Sequence, residues 1–216
     1  MRQRKIKNLE EKMLGYRKYL LDMEPEHRGK WGRVFGNEND LYLELGSGKG
    51  NFLIQQAEKH PNRNYIGIEG RASVALRALQ KLEQTALRNV RFVCQFVNNP
   101  EEWFSAGEVS GIYLNFSDPW PKDRHAHRRL THRDYLKAYH TILKKGGILE
   151  FKTDNDALFD FTENEVKNEV PDLFQIREIT KDLHRSAFEA KNITTEYEEK
   201  FKAAGETINY IQLVRM

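Results

Sequence analysis

The chain has 216 residues, enough for one α/β domain with a full core and too few for two. Charged residues make up 31% of it, yet the formal net charge is only +3, so whole-chain charge identifies no partner and local clustering has to. A single cysteine, Cys94 in Arg91-Phe92-Val93-Cys94, excludes a disulfide framework, and no apolar run is long enough to span a bilayer or serve as a signal core. A cytoplasmic protein with no membrane partner is expected.

Residues 1–40 open with Arg2, Arg4, Lys5 and Lys7, continue through a helix-like stretch over 9–21, and are punctuated by Gly29, Gly32 and Gly36. They read as a basic N-terminal extension that orders either against the domain or on RNA. The domain, residues 41–216, starts with a strand over 41–45 that runs into Gly46-Ser47-Gly48-Lys49-Gly50. A helix over 51–60 follows, stopped by Pro61, then a strand over 64–68 closed by Glu69-Gly70 and a helix over 72–86. A strand over 90–94 and a short helix near 101–104 lead to a central strand over 111–116. Thr131 with Asp134 resembles a capping box for a helix running to Leu143. Lys145-Gly146-Gly147 turns into a strand over 148–152, followed by a helix over 158–170 and a strand over 174–179. A polar segment through Glu198 and a final strand over 208–214 complete the chain. Strand and helix alternate on short connections, which predicts a doubly wound α/β sheet of seven strands.

The first strand and its loop read Glu44-x-Gly46-x-Gly48-x-Gly50, a spacing that lets a ligand approach the backbone closely. A phosphate-binding loop would need a glycine at Leu43 and a hydroxyl residue at Gly50, and a dinucleotide fingerprint would need glycine at Asn51, so both fit poorly. S-adenosylmethionine carries cationic sulfonium and ammonium groups, for which Glu44 is favourable. Glu69, at the end of the second strand, is placed to accept from ribose hydroxyls.

The central strand ends in Leu114-Asn115-Phe116-Ser117-Asp118-Pro119-Trp120-Pro121, a carboxylate beside a stiff aromatic loop. Directly after it comes Lys122-Asp123-Arg124-His125-Ala126-His127-Arg128-Arg129, an electropositive rim suited to a phosphate-bearing substrate. Guanine N7 has a free lone pair and no proton, so its methylation needs alignment and charge stabilisation rather than a general base. Asp118, Asp154 and Glu198 are candidate acceptors for the guanine N–H donors, with Lys122 suited to O6 or a phosphate. Trp120 or Phe116 is suited to stack on a base turned out of the RNA.

Leu43 to Gly50, Tyr113 to Lys122, Phe151-Lys152-Thr153-Asp154-Asn155 and Thr195-Glu196-Tyr197-Glu198 together resemble the bacterial tRNA (guanine-46-N7)-methyltransferase family. The resemblance implies a Rossmann-like class I methyltransferase fold with a mostly parallel sheet. It also implies S-adenosylmethionine as donor, tRNA as partner, methylation in the variable loop, no metal, and a monomer or homodimer. Carried over by position, Glu44, Gly46, Gly48, Glu69 and Asp118 bind the donor, and Asp118 is the catalytic carboxylate. Lys122, Asp154, Thr195, Glu196, Tyr197 and Glu198 hold the substrate, while Arg124, His125, His127, Arg128 and Arg129 contact RNA. The chain departs from the family pattern at Phe96, which stands where an Asp contacts the donor's adenine. That departure favours one competing reading, an RNA-binding module on a methyltransferase shell. A second is transfer to an exocyclic amine, against which Trp120 speaks. Transfer to a pyrimidine carbon would need a thiolate, and Cys94 lacks the loop setting.

Overall fold

A computed structural model describes residues 6–22 and 24–216, so Arg2, Arg4 and Lys5 of the basic opening lie outside the described residues. Helix α1 (Leu9–Leu14) leads into strand β1 (Leu20–Leu21), and the one-turn helix α2 (Trp31–Phe35) follows. The alternating core is then β2 (Asp40–Leu45), α3 (Asn51–Lys59), β3 (Arg63–Ile68), α4 (Ala72–Glu83), β4 (Val90–Val93) and β5 (Val109–Asn115). It continues as α5 (Arg133–Ile142), β6 (Leu143–Thr153), α6 (Asp156–Asn164), β7 (Phe174–Thr180), α7 (Glu196–Ala204) and β8 (Asn209–Arg215). The strands form one sheet in the order β1-β4-β3-β2-β5-β6-β8-β7, parallel except that β8 runs antiparallel to both neighbours.

Both faces of the sheet are covered, which is why its strands read as nearly continuous apolar runs. On one face Leu43, Leu45, Ile66, Ile112, Leu114, Leu149 and Phe151 pack with Leu136, Tyr139 and Ile142 of α5 and Leu158 and Phe159 of α6. On the other, Tyr42, Tyr65, Phe92 and Tyr113 pack with Phe52 and Leu53 of α3 and Leu76, Ala78 and Leu79 of α4. Alternate residues of each strand thus serve opposite layers.

Five expectations from the sequence need correction. Among the described residues the sheet has eight strands, because β1 from the N-terminal extension adds to the edge, pairing Leu20 and Leu21 with Phe92 and Val93. The helix-like stretch there ends at Leu14. The cap of α5 is His132, whose ring nitrogen accepts from the Asp134 N–H, while the Thr131 hydroxyl is buried 2.8 Å from that of Thr162. After α6 the chain passes through a π-turn at Glu165–Glu169, where the buried Glu165 carboxylate accepts from the Arg133 backbone and guanidinium. Finally, the segment read only as polar contains α7.

Gly67 in the middle of β3 is required by close approach: a Cβ there would meet the Phe92 ring at 2.5 Å and Ser47 Oγ at 2.9 Å. Overpacking of this kind costs about 1–3 kcal/mol. Gly67→Ala is therefore expected to lower the unfolding free energy by that much, seen as a lower urea midpoint with an unchanged slope. An unchanged midpoint would show that the Phe92 ring has room to move.

Candidate active site

The chain leaves β2 toward β3 on one side and leaves β5 toward β6 on the other, although β2 and β5 are neighbours. Connections that diverge in this way open a crevice at the strands' carboxyl ends, where ligands bind in open α/β sheets. Sequence-predicted residues fall along this edge in sheet order. Phe96 follows β4, Glu69 follows β3, Glu44 lies near the end of β2, Asp118 follows β5 and Asp154 follows β6.

The loop after β2 turns on Gly46 (φ 78°) and Gly48 (φ 56°), and a Cβ at either would meet nothing within 4 Å. Its backbone is tied to the second acid: Gly48 N–H donates to Glu69 Oε2 at 3.1 Å, and Arg71 N–H donates to Oε1 at 2.8 Å. Burial raises the Glu69 carboxyl above its usual range, opposed by those two N–H groups and reinforced by the nearby Asp118 charge.

Glu44 is the most perturbed acid at this edge. It is only 2% exposed, and burial pushes its pKa up to about 8 against the partial relief of Asn115 and the Lys152 charge. Asn115 Nδ2 donates to Glu44 Oε1 at 2.9 Å, whereas Oε2 is buried with no hydrogen-bond partner among the described residues. Lys152, paired across the sheet with Asn115, continues the row. Its ammonium donates to Ile193 O at 2.9 Å, to Glu198 Oε2 at 3.2 Å and to Asn192 Oδ1. Reading the residues as a sequence missed Lys152. A lysine at the inward phase of an apolar strand, opposite the polar Asn115 on the next, was the available signal.

The segment 192–198 forms a strap over this edge. Thr195 and Glu198 make a capping box at the start of α7. Glu198 is wholly buried, with Oε2 on Lys152 and the Thr195 N–H and Oε1 on Asn192 Nδ2. Glu196 faces the glycine-loop side, bonding Lys49 at 3.0 Å, Asn51 Nδ2 at 2.7 Å and the Lys81 ammonium. Burial would raise the Glu196 carboxyl, but Lys81 and Lys49 together hold it below its ordinary range. Tyr197 is exposed and stacks on Phe116, ring centroids 6.2 Å apart. His184 and Glu189 stand beside Glu198, but Lys202 already bonds Glu189 at 2.7 Å and Lys152 bonds Glu198.

Around the corner after β5, Asp118 and Asp154 are both exposed. Phe116 and Trp120 take positive φ, 53° and 42°, a conformation that side chains other than glycine's adopt rarely and at a cost. Lys122, Arg124, His127 and Arg128 are exposed and His125 is half-buried, with the Arg128 guanidinium 5.0 Å above the Trp120 ring. Arg129 departs from the expectation for this run. It is buried and turned inward, because the carbonyls of Pro119 and Trp120 take its N–H groups. Phe96 is 69% exposed, its ring lying directly on Gly70.

A partnerless Oε2 on Glu44 beside an open glycine loop fits a ligand with a cationic amine, whose charge draws the proton off the carboxyl, and Glu69 retains lone pairs for hydroxyl donors. The folded Glu44 carboxyl holds its proton up to about pH 8, while an unfolded one releases it near 4.5. The folded state then binds more protons, so stability falls as pH rises through that window. Relative to Glu44→Gln, the wild-type melting temperature is expected to drop steadily from about pH 5 to about pH 8, the energetic slope reaching at most about 1.4 kcal/mol per pH unit. Parallel profiles for the two proteins would contradict this placement of the proton.

Comparison with known proteins agrees with this geometry. A family model described as "Putative methyltransferase" matches residues 38–211. A tRNA (guanine-N(7)-)-methyltransferase of Brevibacillus brevis is 43% identical over 212 residues, covering 98% of this chain and 97% of that protein. One of Clostridioides difficile is 42% identical, covering 95% and 94%. Among solved structures, an antibiotic-related methyltransferase superposes with TM-score 0.63 at 19% identity, covering 92% of this chain and 96% of that one. A 16S rRNA (adenine(1408)-N(1))-methyltransferase from Catenulisporales acidiphilia gives 0.61 at 15% identity, with the same coverage. These two likenesses establish the fold, a Rossmann-like methyltransferase sheet. With such identity held over nearly the full length of both chains, the protein belongs to the tRNA (guanine-N(7)-)-methyltransferase family.

Proposed function

We propose that this chain transfers the methyl group of S-adenosylmethionine to N7 of a guanine in tRNA, at position 46 of the variable loop. The observation that carries the reading is the arc of Glu44, Glu69 and Asp118 on adjacent strand ends around the open Gly46–Gly48 loop, with exposed Lys122, Arg124 and Arg128 on its rim. The donor supplies an activated methyl on sulfonium sulfur; the N7 lone pair forms the new bond and sulfur keeps the old bonding pair. No proton moves at N7, so no residue is needed as a base.

The protein's own groups position and compensate charge. Glu44 releases its proton to solvent as the donor's ammonium binds and its Oε2 pairs with that charge, while Glu69 accepts from the ribose. Asp118, exposed at the corner, balances the positive charge that passes from sulfur to base. Asp154 accepts from the guanine N–H groups across the crevice, and Lys122 donates to O6 or a phosphate. Tyr197 on Phe116 offers an aromatic face for the extruded base. Phe96 replaces a hydrogen bond to the adenine with ring contact. The exposed cations of the rim hold the tRNA backbone, which makes binding dependent on salt.

The test is methyl transfer from labelled S-adenosylmethionine to unmodified tRNA, with the product mapped by strand cleavage at 7-methylguanosine. Wild type is expected to give a cut in the variable loop, and Asp118→Ala to lower transfer by at least about 100-fold. Phe96→Asp is expected to tighten donor binding. Intact tRNA binding without any transfer would overturn the enzymatic reading.

A further inference from the structure

The basic run after the corner divides into cations that face out and one that faces in. Arg129 is 9% exposed, while Lys122, Arg124 and Arg128 are exposed. Its Nε donates to Pro119 O at 3.1 Å and its Nη2 to Trp120 O at 3.1 Å. The guanidinium lies 4.3 Å over the Phe161 ring, whose far neighbour is the His132 ring at 6.4 Å. Phe161 belongs to α6, the helix that starts just after Asp154. One planar group therefore ties the loop carrying Asp118 to the helix that follows Asp154.

The loop needs such a tie. Pro119 and Pro121 have no N–H, so the segment cannot close on itself through their amides. Trp120 between them sits at φ 42°, a conformation that holds only where its surroundings enforce it. A guanidinium meets both carbonyls with a fixed fork and stacks on an aromatic face at once. An ammonium does neither as well.

We propose that Arg129 is a positioning residue that fixes the Asp118 loop against α6 and makes no contact with RNA. The proposal rests on the methyl-transfer reading above, and it assigns to the interior a residue that the family resemblance places on the RNA-contacting face. Phosphate contact falls to its exposed neighbours. Arg129 acts on the reaction through the placement of Asp118 and Trp120.

Arg129→Lys keeps the charge and removes the fork and the stack, and Arg124→Ala serves as the reference for a phosphate contact. Binding to tRNA is measured without donor across a salt series, followed by single-turnover transfer at saturating tRNA. Arg124→Ala is expected to weaken binding and lower the slope of log affinity against log salt by about one. Arg129→Lys is expected to leave that slope unchanged while the transfer rate falls by about 10-fold or more. Trypsin should cut faster after Lys122 and Arg124 in Arg129→Lys than in wild type, a readout independent of activity. Phe161→Leu, which removes only the stack, should show the same signs in milder form and covers the case in which Arg129→Lys fails to fold. A lowered salt slope with the transfer rate kept, or unchanged cutting and rate, would overturn the proposal. Loss of transfer by the wild type itself would instead overturn the methyl-transfer reading, with the trypsin comparison still deciding the role of Arg129.

Discussion

The buried ammonium of Lys152 is the contact on which the working edge of this protein depends. Lys152 and Glu198 are 3% and 0% exposed at their side chains, 3.2 Å apart, and Asn192 and the Ile193 carbonyl satisfy the remaining donors. A buried charge is tolerated only when it is paired and fully hydrogen-bonded. The arrangement therefore joins two separate parts of the chain, the end of β6 and the strap that runs into the first turn of α7. On its other side the row runs through Asn115 to Glu44, the acid under the glycine loop. Donor side and substrate side are joined by one line of polar groups across the strand ends.

That line explains how local features combine into function. Divergence of β2 and β5 creates the crevice, and the glycines keep its floor open. Glu196 closes the strap back onto Lys49, Asn51 and Lys81, so the helix that carries Tyr197 is anchored on both sides of the glycine loop. The corner after β5 adds an exposed carboxylate on a loop held in a conformation it would not choose alone. Beyond it the exposed cations offer a rim for a polyanion. Acids along the strand ends and exposed cations on the rim suit a reaction that needs alignment and charge compensation but no proton transfer at the accepting nitrogen.

Much of this was legible in the sequence because strand alternation and glycine spacing are local signals. The central parallel strands, the turn at Gly46 to Gly50 and the acids at Glu44, Glu69 and Asp118 all follow from period and punctuation. What escaped depends on partners distant in the chain. Leu20 and Leu21 make a strand only because the β4 edge accepts them, with no period of their own to announce it. Helix α7 has a mostly polar sequence and is held by its capping box and by Glu196 and Glu198, so hydrophobic pattern does not reveal it. Arg129 looks like its neighbours in a basic run, and only the two bare carbonyls of the proline loop turn it inward. Lys152 likewise reads as a strand-end cation until the strap supplies Glu198 and Asn192.

The most direct test of this account is a double-mutant cycle on Lys152→Met and Glu198→Gln, read by urea unfolding. Breaking one side of a buried pair strands the other charge, so each single substitution is expected to cost about 3–5 kcal/mol. The double substitution should cost far less than their sum, leaving a coupling above about 1 kcal/mol. Strictly additive losses would contradict the claim that this ion pair holds the two sides of the site together.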